Sequence, residues 1–319
     1  MRLKLVPKNT SWNFFSRSKL WIGVSIILVV LSLISFFIQS LNFGIDFRGG
    51  TSIRTESSEP INVAAYRNAL SSLDLGDITI SEVFDPSFED DQNVAMIRIQ
   101  AQPGQEAATS KLVENSLQKL KTVSEDIKFV SVESVGPKVS GELIRTAIIA
   151  VILAISAVLF YIWIRFEWQF AVGAISALIH DVILTIGIFS ILQIKFDLAI
   201  IAAILTIVGY SLNDTVVVFD RVRENLRKFK KRSLIEVMNL SINETMSRTV
   251  MTSVTTLLAL ISLFVLGGDV IRGFVFAMIW GVVVGTYSSI FIASAILLWT
   301  GVKRDWTKPN AEAGTQVPQ

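Results

Sequence analysis

Residues 146–164 read TAIIAVILAISAVLFYIWI and contain no charged residue. A helix needs about 20 mainly apolar residues to cross the hydrocarbon core of a bilayer. The stretches 249–268 and 273–302 are equally free of charge. With these stretches as anchors, the sequence predicts six transmembrane helices: 20–39, 142–164, 169–192, 197–219, 248–267 and 272–300. We therefore expect a polytopic α-helical membrane protein.

The composition excludes several classes of function. Charged residues make up 18% of the chain, against about 25% in soluble domains. A net charge of +2 is too small to indicate nucleic-acid binding. The absence of cysteine rules out disulfides and thiolate metal sites, and the single histidine, His180, argues against a zinc site. We expect no cofactor and no metal.

Basic residues mark one side of the predicted membrane protein. The N-terminus (1–19) has five basic residues and no acid, and the loop 220–247 has seven against four acids. The tail (301–319) adds Lys303, Arg304 and Lys308. The positive-inside rule places these three segments in the cytoplasm and 40–141, with 15 acids and nine bases, in the periplasm. The first apolar run exceeds the h-region of a signal peptide, which favours an uncleaved anchor.

The segment 40–141 is long enough to fold as a domain. Period-two alternation predicts strands at 51–57, 77–84, 93–100 and 127–135, and helical patterns fill 61–73 and 104–122 after a break at Pro103-Gly104. This β-α-β-β-α-β order is of the ferredoxin-like, α+β type, with both helices on one sheet face and the other face free for a partner. Its carboxylates are scattered and it has no histidine or cysteine, so we expect no enzymatic site.

The basic loop 220–247 contains an amphipathic segment. Apolar residues alternate with polar ones over 233–246, and Ser233 with Glu236 forms a potential capping box. Two interpretations remain open: a helix in the interface plane, next to anionic headgroups, or a helix packed beneath the bundle.

Asp214 lies inside the fourth predicted span, where a charged side chain costs about 2.5–3.5 kcal/mol on insertion scales. Tyr210 and Ser211 share its helix face, and Asn213 flanks it. A carboxylate in this position is stable when protonated or when paired with a cation. Asp214 is therefore a candidate for binding and releasing a proton.

Two further polar groups lie in predicted spans. Arg248, Thr252 and Thr255 share one face of the fifth span, which we expect to face the bundle, with Asp214 as the partner of Arg248. Alternatively, Arg248 reaches the cytoplasmic headgroups. His180 and Asp181 are adjacent, so they point about 100° apart and are not expected to face one spot. They form either a proton relay or a structural contact between helices.

Several motifs between about residues 12 and 300 resemble those of the SecD/SecF family, and within it the SecF branch. They are listed here in chain order: FGIDFRGG at 43–50, VGPKVSGEL at 135–143, GYSLNDTVVVFDRVREN at 209–225, RT at 248–249, TSVTTLL at 252–258 and GTYSSI at 285–290. Gly281 and Gly285, in the last span, add a close-packing signal that alone is weak.

The resemblance implies a half bundle of the resistance–nodulation–division (RND) type that pairs with SecD. It also implies that the proton-motive force assists late translocation of unfolded preproteins through SecYEG, with SecA supplying ATP-driven pushing and with YajC and YidC as further partners. The family's proton-linked acid falls on Asp214 and its membrane arginine on Arg248. Two other functions remain: a small-molecule or lipid exporter of the same superfamily, and a passive scaffold of the translocon.

The first family motif contributes structural expectations. Its members here are Gly44, Asp46, Arg48, Gly49 and Gly50. We expect Asp46 and Arg48 to fix the turn into the first strand, and Gly49 and Gly50 to allow positive φ or close backbone approach.

Overall fold

The computed structural model describes residues 10–73, 75–83, 85, 88–89, 91–101 and 110–302. The predicted break at Pro103-Gly104 and the basic residues of the tail lie outside these ranges. In chain order the elements are α1 (Ser18–Gln39), β1 (Asn42–Phe43), α2 (Ile45–Arg48), β2 (Gly50–Ser57), α3 (Val63–Leu70), β3 (Ile78–Val83), β4 (Asn93–Gln100), α4 (Ser110–Leu120), β5 (Lys128–Val135), α5 (Pro137–Arg165), α6 (Trp168–Leu192), β6 (Lys195–Phe196), α7 (Leu198–Lys228), α8 (Leu234–Leu266), α9 (Gly268–Ser288), a π-helical turn (Ser289–Ala293) and α10 (Ser294–Thr300).

Among the described residues, six helices are long and apolar enough to cross a membrane, which confirms the predicted number. They are α1, α5, α6, α7, α8 and the unit Gly268–Thr300, which joins α9, the π-helical turn and α10. Several of them extend beyond the predicted spans. The largest differences are in α7, which continues past 219 to Lys228, and in α8, which begins at Leu234 instead of 248. A hydropathy window does not include these extensions because charged and polar residues are mixed with the apolar ones in the added turns.

The interface-plane helix predicted within 220–247 is not a separate element. Residues from Leu234 onward form the first turns of α8 and continue without a break into the fifth span. Val237, Met238 and Ile242 are buried in a core that also contains Val222. The segment is therefore packed against the bundle, as the second interpretation expects. The capping box is confirmed, because Ser233 accepts from Glu236 N while Glu236 accepts from Ser233 N.

The domain between α1 and α5 has the predicted ferredoxin-like order. Its antiparallel sheet has the strand order β3-β4-β2-β5. Helices α3 and α4 lie on one face, where Tyr66, Leu70 and Leu120 are buried against Ile53 and Ile97. The alternation predicted the correct strands because β2, β3 and β4 each bury side chains against the helices, and β5 packs Phe129 on the same side.

The two ends of the bundle differ in what covers them. At one end, the N-terminal residues run along the first turns of α8. Asn243 accepts from Trp12 N and donates to Trp12 O, and Asn239 accepts from Phe14 N. At the other end lies the ferredoxin-like domain. The N-terminus and the basic loop therefore lie on the same side of the bundle, opposite the domain.

Close helix contact at the centre of the bundle depends on two glycines of α9. A Cβ on Gly281 would lie 2.3 Å from Ile207 Cγ1, and one on Gly285 would lie 3.0 Å from Ser211 Cβ. The packing role predicted for this pair is confirmed. Because Gly285 has no side chain, Ser211 of α7 reaches into the centre of the bundle.

Candidate functional site: a buried carboxylate seam

Asp214 lies in the middle of α7, and its side chain is 7% exposed. Thr249 of α8 donates its hydroxyl to Asp214 Oδ1 at 2.7 Å, and Ser289 donates to Oδ2 at 3.2 Å. Two hydroxyls from two other segments therefore hold the carboxylate. The centre of a bilayer offers no water to replace them.

The π-helical turn supplies one of these hydroxyls. Regular α-helix ends at Ser288, the turn spans Ser289–Ala293, and Ser294 Oγ donates to Ser289 O, five residues back, at 3.1 Å. Such turns are rare in proteins, and a large share of those that occur lie at functional sites. Here the turn places two consecutive serines, Ser288 and Ser289, against two different carboxylates.

The second carboxylate is Asp181 of α6, which is 1% exposed. Its Oδ2 accepts from Ser211 Oγ at 2.6 Å and from Ser288 Oγ at 2.7 Å. Its Oδ1 lies 2.9 Å from His180 Nδ1. We call this set the carboxylate seam: Asp181, Asp214, His180, Ser211, Thr249, Ser288 and Ser289.

The prediction that His180 and Asp181 cannot face one spot is wrong. Both side chains are buried, and they contact each other directly. The backbone directions do differ by about 100°. The imidazole and the carboxylate are long enough to close that angle, and no other polar partner for Asp181 Oδ1 lies nearby among the described residues.

The predicted pairing of Arg248 with Asp214 is not made as a direct ion pair within the described residues of this chain. Arg248, Thr252 and Thr255 lie on the exposed face of α8, and the adjacent Thr249 and Ser253 face the bundle. Within the described part of the chain, Asp214 has hydroxyl partners and no ion pair with Arg248. Thr252 and Thr255 bond to carbonyls of their own helix.

Of the residues predicted to accompany Asp214, only Ser211 belongs to the seam, where it bonds to Asp181 instead. Asn213 is exposed. The Tyr210 hydroxyl is buried without a hydrogen-bond partner in the described structure. Ser288 and Ser289 were missed as functional residues. The available signal was a pair of adjacent serines inside a span without charge.

The FGIDFRGG segment connects the bundle to the ferredoxin-like domain. Asp46 Oδ2 accepts from Leu198 N, the first residue of α7, at 3.1 Å, so Asp46 holds the start of that helix. Arg48 is exposed. Gly49 and Gly50 have φ of 71° and 131°, and a Cβ on Gly50 would lie 2.2 Å from Ile99 O, which confirms the need for glycine there.

Between the sheet and the bundle lies a cavity of about 500 Å³, which we call the outer cavity. Ser52, Arg54 and Arg98 line it from the sheet, and Asp197, Asp269 and Phe274 line it from the bundle. The sheet face predicted to be free for a partner therefore faces this cavity. No group of three or more His, Cys, Asp or Glu residues that could hold a metal occurs within the described ranges.

Comparisons with known families agree with this architecture. The family model for the C-terminal part of the protein export membrane proteins SecD/SecF matches residues 115–303. The model for the SecD/SecF GG motif matches residues 34–61, which include the glycine pair described above.

The chain belongs to the SecD/SecF family. It is 59% identical to the protein translocase subunit SecF of Cereibacter sphaeroides over 315 residues, covering 99% of this chain and 97% of that protein. It is 56% identical to the SecF subunit of Rhodobacter capsulatus, again over 315 residues, covering 97% and 95%. The resemblance seen in the motifs is thus confirmed, at SecF-like length.

Two solved structures of SecDF are similar to this SecD/SecF-family chain. The crystal structure of SecDF from Thermus thermophilus matches with a TM-score of 0.80 at 33% identity, and it covers 94% of this chain. SecDF in a super-membrane-facing form matches with a TM-score of 0.68 at 34% identity and the same coverage. This chain spans 40% of the length of each SecDF chain.

Proposed function

We propose that this chain is the SecF-type subunit of a protein-export complex. It pairs with a SecD subunit and uses the proton-motive force to promote late steps of preprotein translocation through SecYEG, in concert with SecA. YajC and YidC are further partners. The chain performs no enzymatic reaction itself. The names of its relatives and its similarity to SecDF support this assignment.

The location that follows is the bacterial inner membrane, with both termini in the cytoplasm. The basic loop 220–247 and the N-terminal residues lie at the same end of the bundle, as their charge requires. The ferredoxin-like domain, at the opposite end, then lies in the periplasm. There it can contact the chain being exported.

The observation that carries the proton coupling is the environment of Asp214. A carboxylate with hydroxyl partners and no ion pair is sensitive to proton binding, because its charge is not balanced by a direct contact. A proton neutralises it and weakens its bonds to Thr249 and Ser289, since hydrogen bonds to charged groups are about twice as strong as neutral ones. One charge that crosses a potential of 100 mV supplies about 2.3 kcal/mol, enough to favour one of two arrangements of α7, α8 and the π-helical turn.

Arg248 acts on this site from the outer face of α8. The exposed stripe Arg248, Thr252 and Thr255 is too polar to suit lipid. SecD is the occupant proposed for this face, where its charged residues pair with Arg248. Proton entry at Asp214 then alters an interface between the two subunits.

The test is preprotein translocation into inverted inner-membrane vesicles that contain SecD, with and without an imposed proton gradient. Asp214→Asn and Arg248→Met are expected to assemble, to keep the step driven by ATP and to lose the gradient-dependent step. Asp220→Asn is the matched control, because Asp220 lies on the same helix and pairs with Arg165 at 3.3 Å, away from the seam. Normal gradient-dependent translocation by Asp214→Asn and Arg248→Met would instead support the passive scaffold.

A further inference from the structure

The buried pair His180–Asp181 has no part in the coupling proposed above, yet it is the less exposed of the two carboxylate sites. Asp181 is 1% exposed and His180 is 6% exposed. Within the described ranges, His180 is the only group in contact with Asp181 that can carry a positive charge. A buried charge without compensation is very costly, so the charge of the pair depends on one proton.

Neither charge state of this pair satisfies all of its groups. With a protonated imidazole, Asp181 is compensated and accepts three hydrogen bonds, but His180 Nε2–H has no acceptor, because Nε2 is buried without a partner in the described structure. With a neutral imidazole, Nε2 loses that unpaired donor, but the carboxylate charge is left without a counter-charge. An unsatisfied buried donor costs about 1–3 kcal/mol. Each charge state therefore leaves one group of the pair without a partner or a counter-charge.

The surroundings of the pair contain few other titratable groups. Helix α1 packs against α6 and presents Ser25, Ser32 and Ser35. Tyr287 stacks on the imidazole with ring centroids 6.1 Å apart, and its hydroxyl is bonded to Trp21 O and Ser25. On α5, the titratable side chains are exposed: Lys138, Glu142, Arg145, Tyr161 and Arg165. On α7, Tyr210 is the group nearest in sequence to the seam serine. Apart from Tyr287, whose hydroxyl is bonded to α1, Asp214 is the titratable group linked most directly to the pair.

The link runs through two short paths. Ser288 bonds to Asp181, and the next residue, Ser289, bonds to Asp214. Ser211 also bonds to Asp181, and it lies one helical turn before Asp214 on α7. Ser288, the last residue of α9, and Ser289, the first of the turn, each have a second acceptor on α9: Gly285 O for Ser288 and Thr286 O for Ser289. A serine released by its carboxylate therefore remains bonded, and the turn can shift at low cost.

We infer that the His180–Asp181 pair is a second proton-binding site, and that the π-helical turn couples its occupancy to that of Asp214. Proton binding adds one proton from solvent to the imidazole and breaks no other bond. A change of charge at either carboxylate alters the pull on its serine, moves the turn and changes the environment of the other carboxylate. Linkage makes this coupling reciprocal. The inference rests on the proposed function for its biological role, but its test does not.

The test measures proton occupancy directly, by infrared pH titration of the full-length chain in membranes. The carboxylic-acid band that disappears in Asp214→Asn reports Asp214, and an imidazole band that disappears in His180→Asn reports His180. In the wild type both bands are expected to titrate. His180→Asn and Ser288→Ala are each expected to move the midpoint of the Asp214 band by about one pH unit, the scale at which two sites titrate as a coupled pair.

Ser190→Ala is the matched control. Ser190 also lies on α6, is fully buried and bonds to Ser35 at 2.9 Å and to Ser40 O at 2.9 Å, outside the seam. It removes a buried serine hydroxyl in the same way and is expected to leave the Asp214 midpoint unchanged. If His180 does not titrate, or if Ser288→Ala and His180→Asn leave the midpoint in place, the inference is wrong.

The design separates this inference from the proposed function. A coupled titration in a chain whose Asp214→Asn variant still translocates with the gradient would leave the second site standing and remove its role in export. If Asp214 is needed for gradient-driven translocation but its titration is independent of His180 and Ser288, the proposed function stands and the second coupled site is rejected. Should His180→Asn fail to insert, Ser288→Ala still tests the coupling.

Discussion

In the carboxylate seam all four oxygens of Asp181 and Asp214 accept hydrogen bonds, whereas the outer cavity is held together by longer and partly exposed ion pairs. Arg54 and Asp269 approach to 3.7 Å, and Lys195 and Asp197 to 3.4 Å. Arg98 Nε is buried without a hydrogen-bond partner in the described structure. Burial lowers the pKa of the Arg98 guanidinium, and the nearby Asp197 and Asp269 partly offset the effect.

This difference indicates that the carboxylate seam sets the arrangement of the helices, whereas the contacts at the outer cavity are weak enough to break. In the seam each contact is buried, and Ser288 and Ser289 keep a bond to their own helix when a carboxylate releases them, so a change of one proton can move the π-helical turn. In the outer cavity, partly exposed ion pairs contribute about 0–1 kcal/mol each. The Arg54–Asp269 pair across the outer cavity therefore adds little resistance to a shift of the ferredoxin-like domain over the bundle.

The largest expected effect is on the packing that brings the seam together. Gly281→Val places a side chain where a Cβ alone would lie 2.3 Å from the fully packed Ile207, so α7 and α9 must separate. Overpacking of this kind costs about 1–3 kcal/mol. We expect a clear loss of thermal stability of the purified chain, together with loss of gradient-driven translocation.

Gly209→Ala is the control for the packing variant. Gly209 lies in the middle of α7, and nothing lies within 4 Å of a Cβ built there. Alanine is expected to leave stability unchanged or to raise it by up to about 1 kcal/mol through helix propensity. If Gly281→Val were as thermally stable as Gly209→Ala, the helix packing around the seam would tolerate a larger side chain. The seam would then not be more rigid than the outer cavity.

Part of this contrast could be read from the sequence. The charge-free stretch at 146–164 and the other long apolar stretches predicted the six spans, because lipid requires about 20 apolar residues in a row. Alternation such as that of 93–100 predicted the strands, because side chains alternate between the two faces of a sheet. Asp214 was identified because an acid inside a span is costly. These are properties of single segments.

The hydrogen-bond partners of side chains in the spans could not be predicted, because they depend on how each helix is rotated relative to its neighbours. Thr206 bonds to Ala202 O on its own helix, as hydroxyls in membrane helices commonly do, whereas Ser288 and Ser289 reach across to carboxylates. Nothing in a single segment distinguishes the two cases. For the same reason Arg248 was expected to face Asp214, and the hydroxyl that does so belongs to its neighbour, Thr249.

A smaller effect is expected where the bundle meets the ferredoxin-like domain. Asp46→Ala removes the acceptor of Leu198 N at the start of α7, a loss comparable to that of a helix cap, about 1 kcal/mol. Asp46→Asn keeps an oxygen acceptor and should lose less. Thermal unfolding of the two variants provides the measurement. Equal losses would mean that the charge of Asp46, and not its hydrogen bond, holds the junction.

The smallest effect is expected for the ion pair across the outer cavity. A double-mutant cycle with Arg54→Gln and Asp269→Asn should give a coupling energy below about 1 kcal/mol, because the pair is partly exposed and separated by 3.7 Å. In about 1 M salt, where the screening length falls to about 3 Å, the coupling should approach zero. The stability loss in Gly281→Val, which comes from buried apolar contact, should persist in that salt. A coupling of several kcal/mol that resists salt would mean that the domain is locked to the bundle. In that case any movement of the helices at the seam would have to carry the domain with it as a rigid body. The ion pair would then not break to let the helices move independently of the domain.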